Sequence, residues 1–556
     1  MRTPLVALIA TLALGACAVG PGYERPPTPV PAAYRSDTLQ LVRDTAAAIA
    51  PLVPPAPTPA DTVAPTWDQT LGDTVLLALM DTARVHNQDL QATIAVTREF
   101  QARYAIDRSG FFPQVNLFGA GGTAKAKEIS VPSVTGDFYD ATAEASWELD
   151  LWGRVRRTSQ AGKAAYFART EDLRGAELSL AAAVATGYFG LLELDQQMLV
   201  AERTLAAQRA TADLSRRRYQ EGQVSKLDVL QFDAQAQETQ AQLAVLARLR
   251  SEEENALSTL VGLPPRGLPR GQPLPEQVGN FDVPQGLPSD LLARRPDVRA
   301  AEEDLRAATA RIGAAWGGRL PQVTLTGQYG YVSDDLSTLF ESQNNTNALF
   351  VGITVPLFTG GRLQGEVNVA EAQAEQARAR YEQVVLLALQ DVENALVAIR
   401  TTREQLAAQT AQVGSLTESL TLVQHRYENG LASYLEVLDA QRSLFNAELS
   451  LARAQALQLS SGVRLYKALG GPWSELGTAR ERRSHRPAGS GECAGSSSLR
   501  SCSCRCPDSP GPRRRPIRSC RPAPNTASTH RSAASRAGST GAGIDRSGPR
   551  RWRRPA

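Results

Sequence analysis

Cysteines, histidines and glycine-rich loops are the residues in this chain whose types and spacing suggest chemistry, and most of them carry none. Five of the six cysteines (Cys493, Cys502, Cys504, Cys506 and Cys520) lie in one C-terminal stretch. Cys502-x-Cys504-x-Cys506 lacks the ligand spacing of a strong zinc site. His86 and His425 stand alone on helical stretches, and His485 and His530 fall near the cysteines. Gly119-Ala120-Gly121-Gly122-Thr123-Ala124 follows a short strand but no βαβ pattern, so it reads as a hairpin turn and not a dinucleotide loop. No catalytic constellation, metal site or cofactor is expected, and the chain is not expected to be an enzyme.

Cys17 is the exception. It follows Arg2, an apolar stretch from Leu5 to Leu14, and small residues, which is a signal-peptide layout over residues 1–16. Leu14-Gly15-Ala16-Cys17 looks like a lipobox, whose cysteine receives a diacylglyceryl thioether and becomes the acylated N-terminus. The next residue is Ala18 and not Asp, which by resemblance to lipoprotein sorting points to the outer membrane.

The other chemistry-bearing pattern occurs twice. Arg218-Tyr219-Gln220-Glu221-Gly222-Gln223-Val224-Ser225-Lys226-Leu227-Asp228 recurs as Arg426-Tyr427-Glu428-Asn429-Gly430-Leu431-Ala432-Ser433-Tyr434-Leu435-Glu436, 208 positions later. Each copy is a turn between two helical patterns.

The elements around these turns repeat with the same spacing. Residues 67–262 form a first repeat and 289–473 a second, joined by a Pro/Gly-rich connector over 263–288. Asp89 matches Asp297, and Pro113-Gln114-Val115 matches Pro321-Gln322-Val323. Each repeat opens with a helical pattern, the first running without a break from Trp67 to about Ser109. A period-two hairpin follows, at 112–151 and at 320–358. From Tyr139 to Leu151 the odd positions are apolar or small and the even ones polar; in the second hairpin the partner strand reads from Leu349 to Leu357. A very long helix follows each hairpin, from about Arg156 to Tyr219 and from Gly361-Arg362 to Tyr427. At 1.5 Å per residue each spans on the order of 100 Å, too long for an ordinary globular core. The tips lie near 219–230 and 427–439, and return helices run to about Leu260 and Leu469.

Residues 17–66 are Pro/Ala-rich and read as an extended tether. Residues 474–556 hold 18 arginines and five acids, so this tail carries +13 and the rest of the chain −10. The tail cannot bury a core. Its arginines suit nucleic acid, but the Arg/Ser/Pro/Ala/Cys mixture is also that of out-of-frame translation of a GC-rich gene, and no nucleic-acid partner is assigned.

Four strands are too few to close a transmembrane barrel. Yet residues 111–152 and 329–358 hold over a third of the aromatic residues, as a membrane girdle requires. Several chains pooling their hairpins, above a cylinder of long helices, would make a duct.

These motifs together resemble the TolC-like outer-membrane factors, and within them the lipoprotein branch of bacterial efflux systems, the OprM and NodT type. The resemblance rests on Cys17 with Gly20-Pro21-x-Tyr23-x-Arg25-Pro26, Leu149-Asp150-Leu151-Trp152-Gly153-Arg154, Leu292-x-Arg294-Arg295-Pro296-Asp297, Pro356-Leu357-Phe358-x-Gly360-Gly361-Arg362 and both tips. It implies an α+β membrane protein, internally duplicated. In it a homotrimer forms a 12-stranded β-barrel, four strands per chain, continuous with a long periplasmic α-helical barrel. It implies passive export of drugs or metal ions received from an inner-membrane transporter through a periplasmic adaptor protein, with an anchor in outer-membrane lipid at acylated Cys17. Asp228, Glu436 and Asp439 align with the periplasmic gate, ordinary solvated helix acids being the alternative; Gly222, Ser225, Gly430 and Ser433 align with the adaptor-contact tip. The competing functions are the duct of a one-component secretion system and a lipid-anchored coiled-coil scaffold without a pore.

Overall fold

The structure, a computed structural model, describes residues 18–27, 71–126, 134–277 and 294–471. These belong to the first of two units, 1–483; the second, 484–556, and Cys17, the cysteine expected to carry the lipid, lie outside the described residues.

Two helices open the chain, α1 (Thr74–His86) and α2 (Gln88–Ser109). The unbroken helical run expected from Trp67 is therefore divided at Asn87, and Trp67 lies outside the described residues. Asn87 has an extended ψ of 123°; its Oδ1 accepts from the Leu90 amide at 2.8 Å and caps α2, while its Nδ2 donates to the Leu260 carbonyl at 2.8 Å. Apolar spacing alone does not show this break, because part of its support lies 173 residues away.

Strands β1 (Gln114–Ala126), β2 (Val134–Leu149), β3 (Gln322–Ser333) and β4 (Asn345–Thr354) form one antiparallel sheet in that order. β4 ends before Pro356, so Val355 and Leu357, expected within the strand, lie beyond it; proline has no amide to donate to a ladder. Odd positions share one apolar face, as in the pairs Trp147–Leu325 and Leu325–Val351. Even positions share the polar face, where Gln328 donates to Glu144 at 3.1 Å.

Two long helices follow the two hairpins, α3 (Arg154–Gln220) and α6 (Arg362–Glu428), each of 67 residues. Neither contains proline. Each starts after a glycine in the left-handed region, Gly153 at φ 79° and Gly361 at φ 86°. At α3 the Asp150 carboxylate accepts from the Val155 and Arg156 amides at 3.0 and 2.9 Å, putting an anion on the helix N-terminus. Alanine dominates the buried face of α3, including Ala161, Ala164, Ala165, Ala168, Ala181, Ala182 and Ala185, which lets neighbouring helices approach closely. The returning helices are α4 (Lys226–Val261) and α7 (Tyr434–Ala468), and α5 (Pro296–Gly317) leads into β3.

The helices form a wall at two levels. Nearest the strands the order is α2-α3-α5-α6; farther away it is α4-α3-α7-α6. The largest core lies between the levels, where α1, α3, α4 and α7 meet the connector through Leu76, Tyr188, Phe189, Leu257, Leu274 and Val463. Buried Asp73 ties this region together, accepting from the Tyr188 hydroxyl at 2.8 Å and the Gln277 amide group at 2.7 Å. Arg295 seals the end of α7 by donating to the Ala468 carbonyl at 2.9 Å.

Candidate functional site: the paired tips and the strapped N-terminus

The two tips are built alike. At the end of α3 the Gln223 amide donates to the Arg218 carbonyl at 2.8 Å, around Gly222 at φ 76°. At the end of α6 the Leu431 amide donates to the Arg426 carbonyl at 2.7 Å, around Gly430 at φ 72°. Glycine permits this left-handed turn at little steric cost. A side chain at either glycine would meet nothing within 4 Å, so the glycines answer to backbone conformation and leave open surface.

Ser225 and Ser433 then start the returning helices with reciprocal caps. The Ser225 amide donates to Asp228 at 3.1 Å, and the Ser225 hydroxyl accepts from the Asp228 amide at 3.3 Å. The Ser433 amide donates to Glu436 at 3.0 Å, and the Ser433 hydroxyl accepts from the Glu436 amide at 3.4 Å. The backbone and hydroxyl donors of Ser433 hold the Glu436 carboxyl below the usual glutamate range. Asp439 stands one turn further on and accepts from Arg442 at 3.0 Å. So Asp228 and Glu436 occupy matching places on the two tips, each engaged by its own cap, while Asp439 is exposed beside an exposed arginine. Gly222, Ser225, Gly430 and Ser433 are all exposed.

Sequence reasoning missed the joint between the tips. Arg218 on the first tip donates to the Tyr427 and Glu428 carbonyls of the second at 3.2 and 3.0 Å. Its guanidinium also stands 5.0 Å from the Tyr427 ring centroid. Phe232 packs edge-on against both Tyr427 and Tyr434, at 6.2 Å in each case. The twin arginine, Arg426, donates to Leu431 of its own turn, at 3.3 Å. The repeated Arg-Tyr pair was the available signal, but which tip each arginine serves is a matter of packing.

At the other end, residues 18–27 form a strap. The Val19 amide donates to the Trp152 carbonyl at 3.1 Å, and Arg157 donates to the Gly20 carbonyl at 3.2 Å. Gly20 approaches Gly313 so closely that a Cβ would lie 2.4 Å from the Gly313 Cα. The Tyr23 hydroxyl donates to Glu302 at 3.1 Å, Arg25 pairs with the same carboxylate, and Arg306 lies over the Tyr23 ring at 4.7 Å. Burial alone pushes the Glu302 carboxyl up, but Arg25, then Tyr23 and Arg306, outweigh it and hold the group below the usual glutamate range. Burial, followed by the Glu302 charge, pushes the Tyr23 phenol up to about 12. The motif Tyr23-x-Arg25 was visible in the sequence; its partner on α5 was not.

The sheet's apolar face has no cover among the described residues: Leu117 is 84% exposed and Leu349 73%. A long helix wall carrying a small sheet with a bare greasy face defines an outer-membrane channel subunit. The comparisons agree. The family model described as outer membrane efflux protein matches residues 79–263 and 287–471, and the chain belongs to that family. The solvent efflux pump outer membrane protein SrpC of Pseudomonas putida is 34% identical over 85% of this chain and 99% of its own length. The outer membrane protein OprJ of Pseudomonas aeruginosa is 31% identical over 85% of this chain and 98% of its own. The open-state MtrE outer membrane channel of Neisseria gonorrhoeae superposes with a TM-score of 0.72 at 32% identity, covering 82% of this chain and 98% of that one. The protein is thus an outer-membrane efflux component, and the resemblance to TolC-like factors is borne out.

Proposed function

We propose that this chain is the passive outer-membrane duct of a tripartite efflux pump for small molecules. Three copies pool their strands into a 12-stranded barrel, and their helices close an α-helical barrel that reaches into the periplasm. The observation that carries this reading is the combination, in one chain, of an open-edged four-stranded sheet with a bare apolar face and a two-level helix wall that begins at the strand ends. The internal duplication supplies two tips per chain and six per ring.

Cys17 carries the acyl anchor. Supporting this, Ala18, the next residue, lies against Gly153, where the sheet gives way to α3. Replacing Cys17 with Ser is expected to abolish incorporation of labelled palmitate; undiminished labelling defeats the assignment.

The periplasmic tips serve as gate and docking site. Asp228, Glu436 and Asp439 gather negative charge around the axis, where rings of carboxylates attract cations. The caps fix the first two carboxylates in place. In planar bilayers, Glu436→Ala combined with Asp439→Ala is expected to relieve block by multivalent cations about tenfold or more. Unchanged block defeats the gate; absence of conductance in the unaltered protein defeats the duct and favours a scaffold. Gly222, Ser225, Gly430 and Ser433 face the periplasmic adaptor, which hands over cargo from the inner-membrane transporter. Photo-crosslinkers placed at the adjoining Gln223 and Leu431 are expected to capture the adaptor.

A further inference from the structure

Towards the tips the helix wall is not apolar throughout. Two clusters lie along this stretch of α3. The upper one holds Val200, Leu246, Phe445 and Leu449, and the lower one holds Ala212, Phe232, Tyr427 and Val437. Between them comes a polar layer. Gln208 of α3 is 2% exposed, and neither atom of its side-chain amide has a hydrogen-bond partner among the described residues. Arg209 donates to Gln240 at 2.7 Å and Arg216 pairs with Asp233, so α3 and α4 run antiparallel with Thr239 at the level of Gln208. Thr239 is buried, and its hydroxyl has no partner among the described residues. On α7, Gln441 donates to Thr211 at 3.4 Å, but its side-chain oxygen is buried without a partner. One turn below Thr211, the hydroxyl of buried Ser215 is unpaired as well.

Such groups are costly, because a buried donor or acceptor gives up water and gains nothing in return. A polar residue inside a helix bundle can fix its register, but it does so by meeting another polar group. Gln208 meets none.

The duplication supplies a control. The counterparts of Gln208, Ser215 and Thr239, 208 positions later, are Leu416, Val423 and Ala447. α6 has the same 67 residues as α3, and its tip closes with the same turn. Val423 packs on the lower cluster and Ala447 is buried. The second hairpin thus makes the same fold with apolar residues at all three places. The polar groups of the first hairpin are not demanded by the fold.

Their position says what they do. The layer divides the shaft of the wall from the block that carries the Arg218 joint and, beyond it, Asp228 and Glu436. The cost of unpaired groups is borne only while the helices are packed. When α3 parts from α4 or α7, water reaches Gln208, Thr239 and Gln441 and that cost is recovered. In the second hairpin, parting exposes apolar side chains instead, which water penalises.

We infer that the layer at Gln208, Ser215, Thr239 and Gln441 is a weak joint built into the first hairpin, which lowers the free energy needed to part the tip and so favours the open duct. This rests on the reading of the tips as a gate and adds the element that yields. The test uses the full chain carrying Q208L/S215V/T239A, side chains that the second hairpin already accommodates, with T239S as the control that keeps the hydroxyl. Hydrogen exchange at the amides of α3 around Gln208 and of α4 around Thr239 is expected to slow about tenfold or more in the triple variant and to stay unchanged in T239S. In planar bilayers the open probability of the triple variant is expected to fall severalfold while the conductance of the open channel stays the same. Equal or faster exchange in the triple variant would show that the polar groups hold the helices together, and overturns the weak joint. Slower exchange with an unchanged open probability overturns its link to opening. Should the triple variant fail to assemble, Q208L alone is read in the same two ways. The reverse exchange, L416Q/V423S/A447T, is expected to speed exchange in α6 and α7 and to raise the open probability; no change in either overturns the inference. The exchange measurements do not depend on the gate. If loss of Glu436 and Asp439 leaves cation block unchanged, the gate fails, while slowed exchange in the triple variant still upholds the joint.

Discussion

Glu302 shows how much one residue far from both tips can decide. It is 6% exposed and receives Tyr23, Arg25 and Arg306 on one carboxylate. Replacement with Gln keeps the shape but removes the charge that Arg25 and Arg306 answer. Charge-assisted hydrogen bonds of this kind contribute about 1.5–3 kcal/mol. Glu302→Gln is expected to speed hydrogen exchange at the Val19 amide by about tenfold or more, since about 1.4 kcal/mol corresponds to tenfold. An unchanged rate would mean the strap is held by its glycine contacts alone. The pH dependence has a definite sign. The Glu302 carboxyl is depressed in the folded protein, so its stabilisation is complete above the ordinary glutamate range and is lost as pH falls through the depressed value. The Tyr23 phenol is raised, so its contribution holds below pH about 10 and is lost as pH rises through about 12. Val19 exchange, corrected for its intrinsic pH dependence, is expected to rise at both extremes. Tyr23 and Arg25 were legible because a motif with proline and glycine stands out in a tether. Glu302 was not, being one of several acids on α5 with partners 277 and 279 residues away.

The tips were almost fully legible as elements, because their structure is local. Glycine in the left-handed turn, serine at the cap and an acid three residues on are chemically necessary in that order. What packing added was the Arg218 joint. Ser225→Ala and Ser433→Ala are each expected to cost about 1 kcal/mol through loss of the cap, read as fraying of the first turn of α4 or α7 by hydrogen exchange. Gly430→Ala forces an L-residue to φ 72° and is expected to cost about 1–2 kcal/mol, although no atom obstructs the new methyl. If Gly430→Ala leaves the tip's exchange unchanged, the turn is not held in the left-handed region. Arg218→Ala removes two hydrogen bonds and a ring contact joining tip to tip, whereas Arg426→Ala removes one bond within a tip. The first is expected to raise single-channel open probability far more than the second; equal effects would show that the arginines act only through charge. The long helices and the hairpins were likewise legible, since each has one period sustained over many residues. The division at Asn87 was not, because the Leu260 carbonyl that it holds comes from α4.

At the scale of the whole molecule, the distribution of charge and of family likeness separates the body from its tail. The family match ends at residue 471, and α7 ends at Ala468 with its last carbonyl held by Arg295. Every residue assigned here to the sheet, the helix wall, the strap or the tips lies before that point. The residues from Ser474 onward carry +13 against −10 for the rest, and their composition gives them no means of burying a core. A chain ending at Trp473 is therefore expected to reach the outer membrane, to assemble to the same number of copies by native mass, and to conduct in planar bilayers as the full chain does. Loss of insertion or assembly on truncation would make the tail a functional segment. Equal conductance with a changed salt dependence would instead place its arginines close enough to the mouth of the duct to act on ions passing through it.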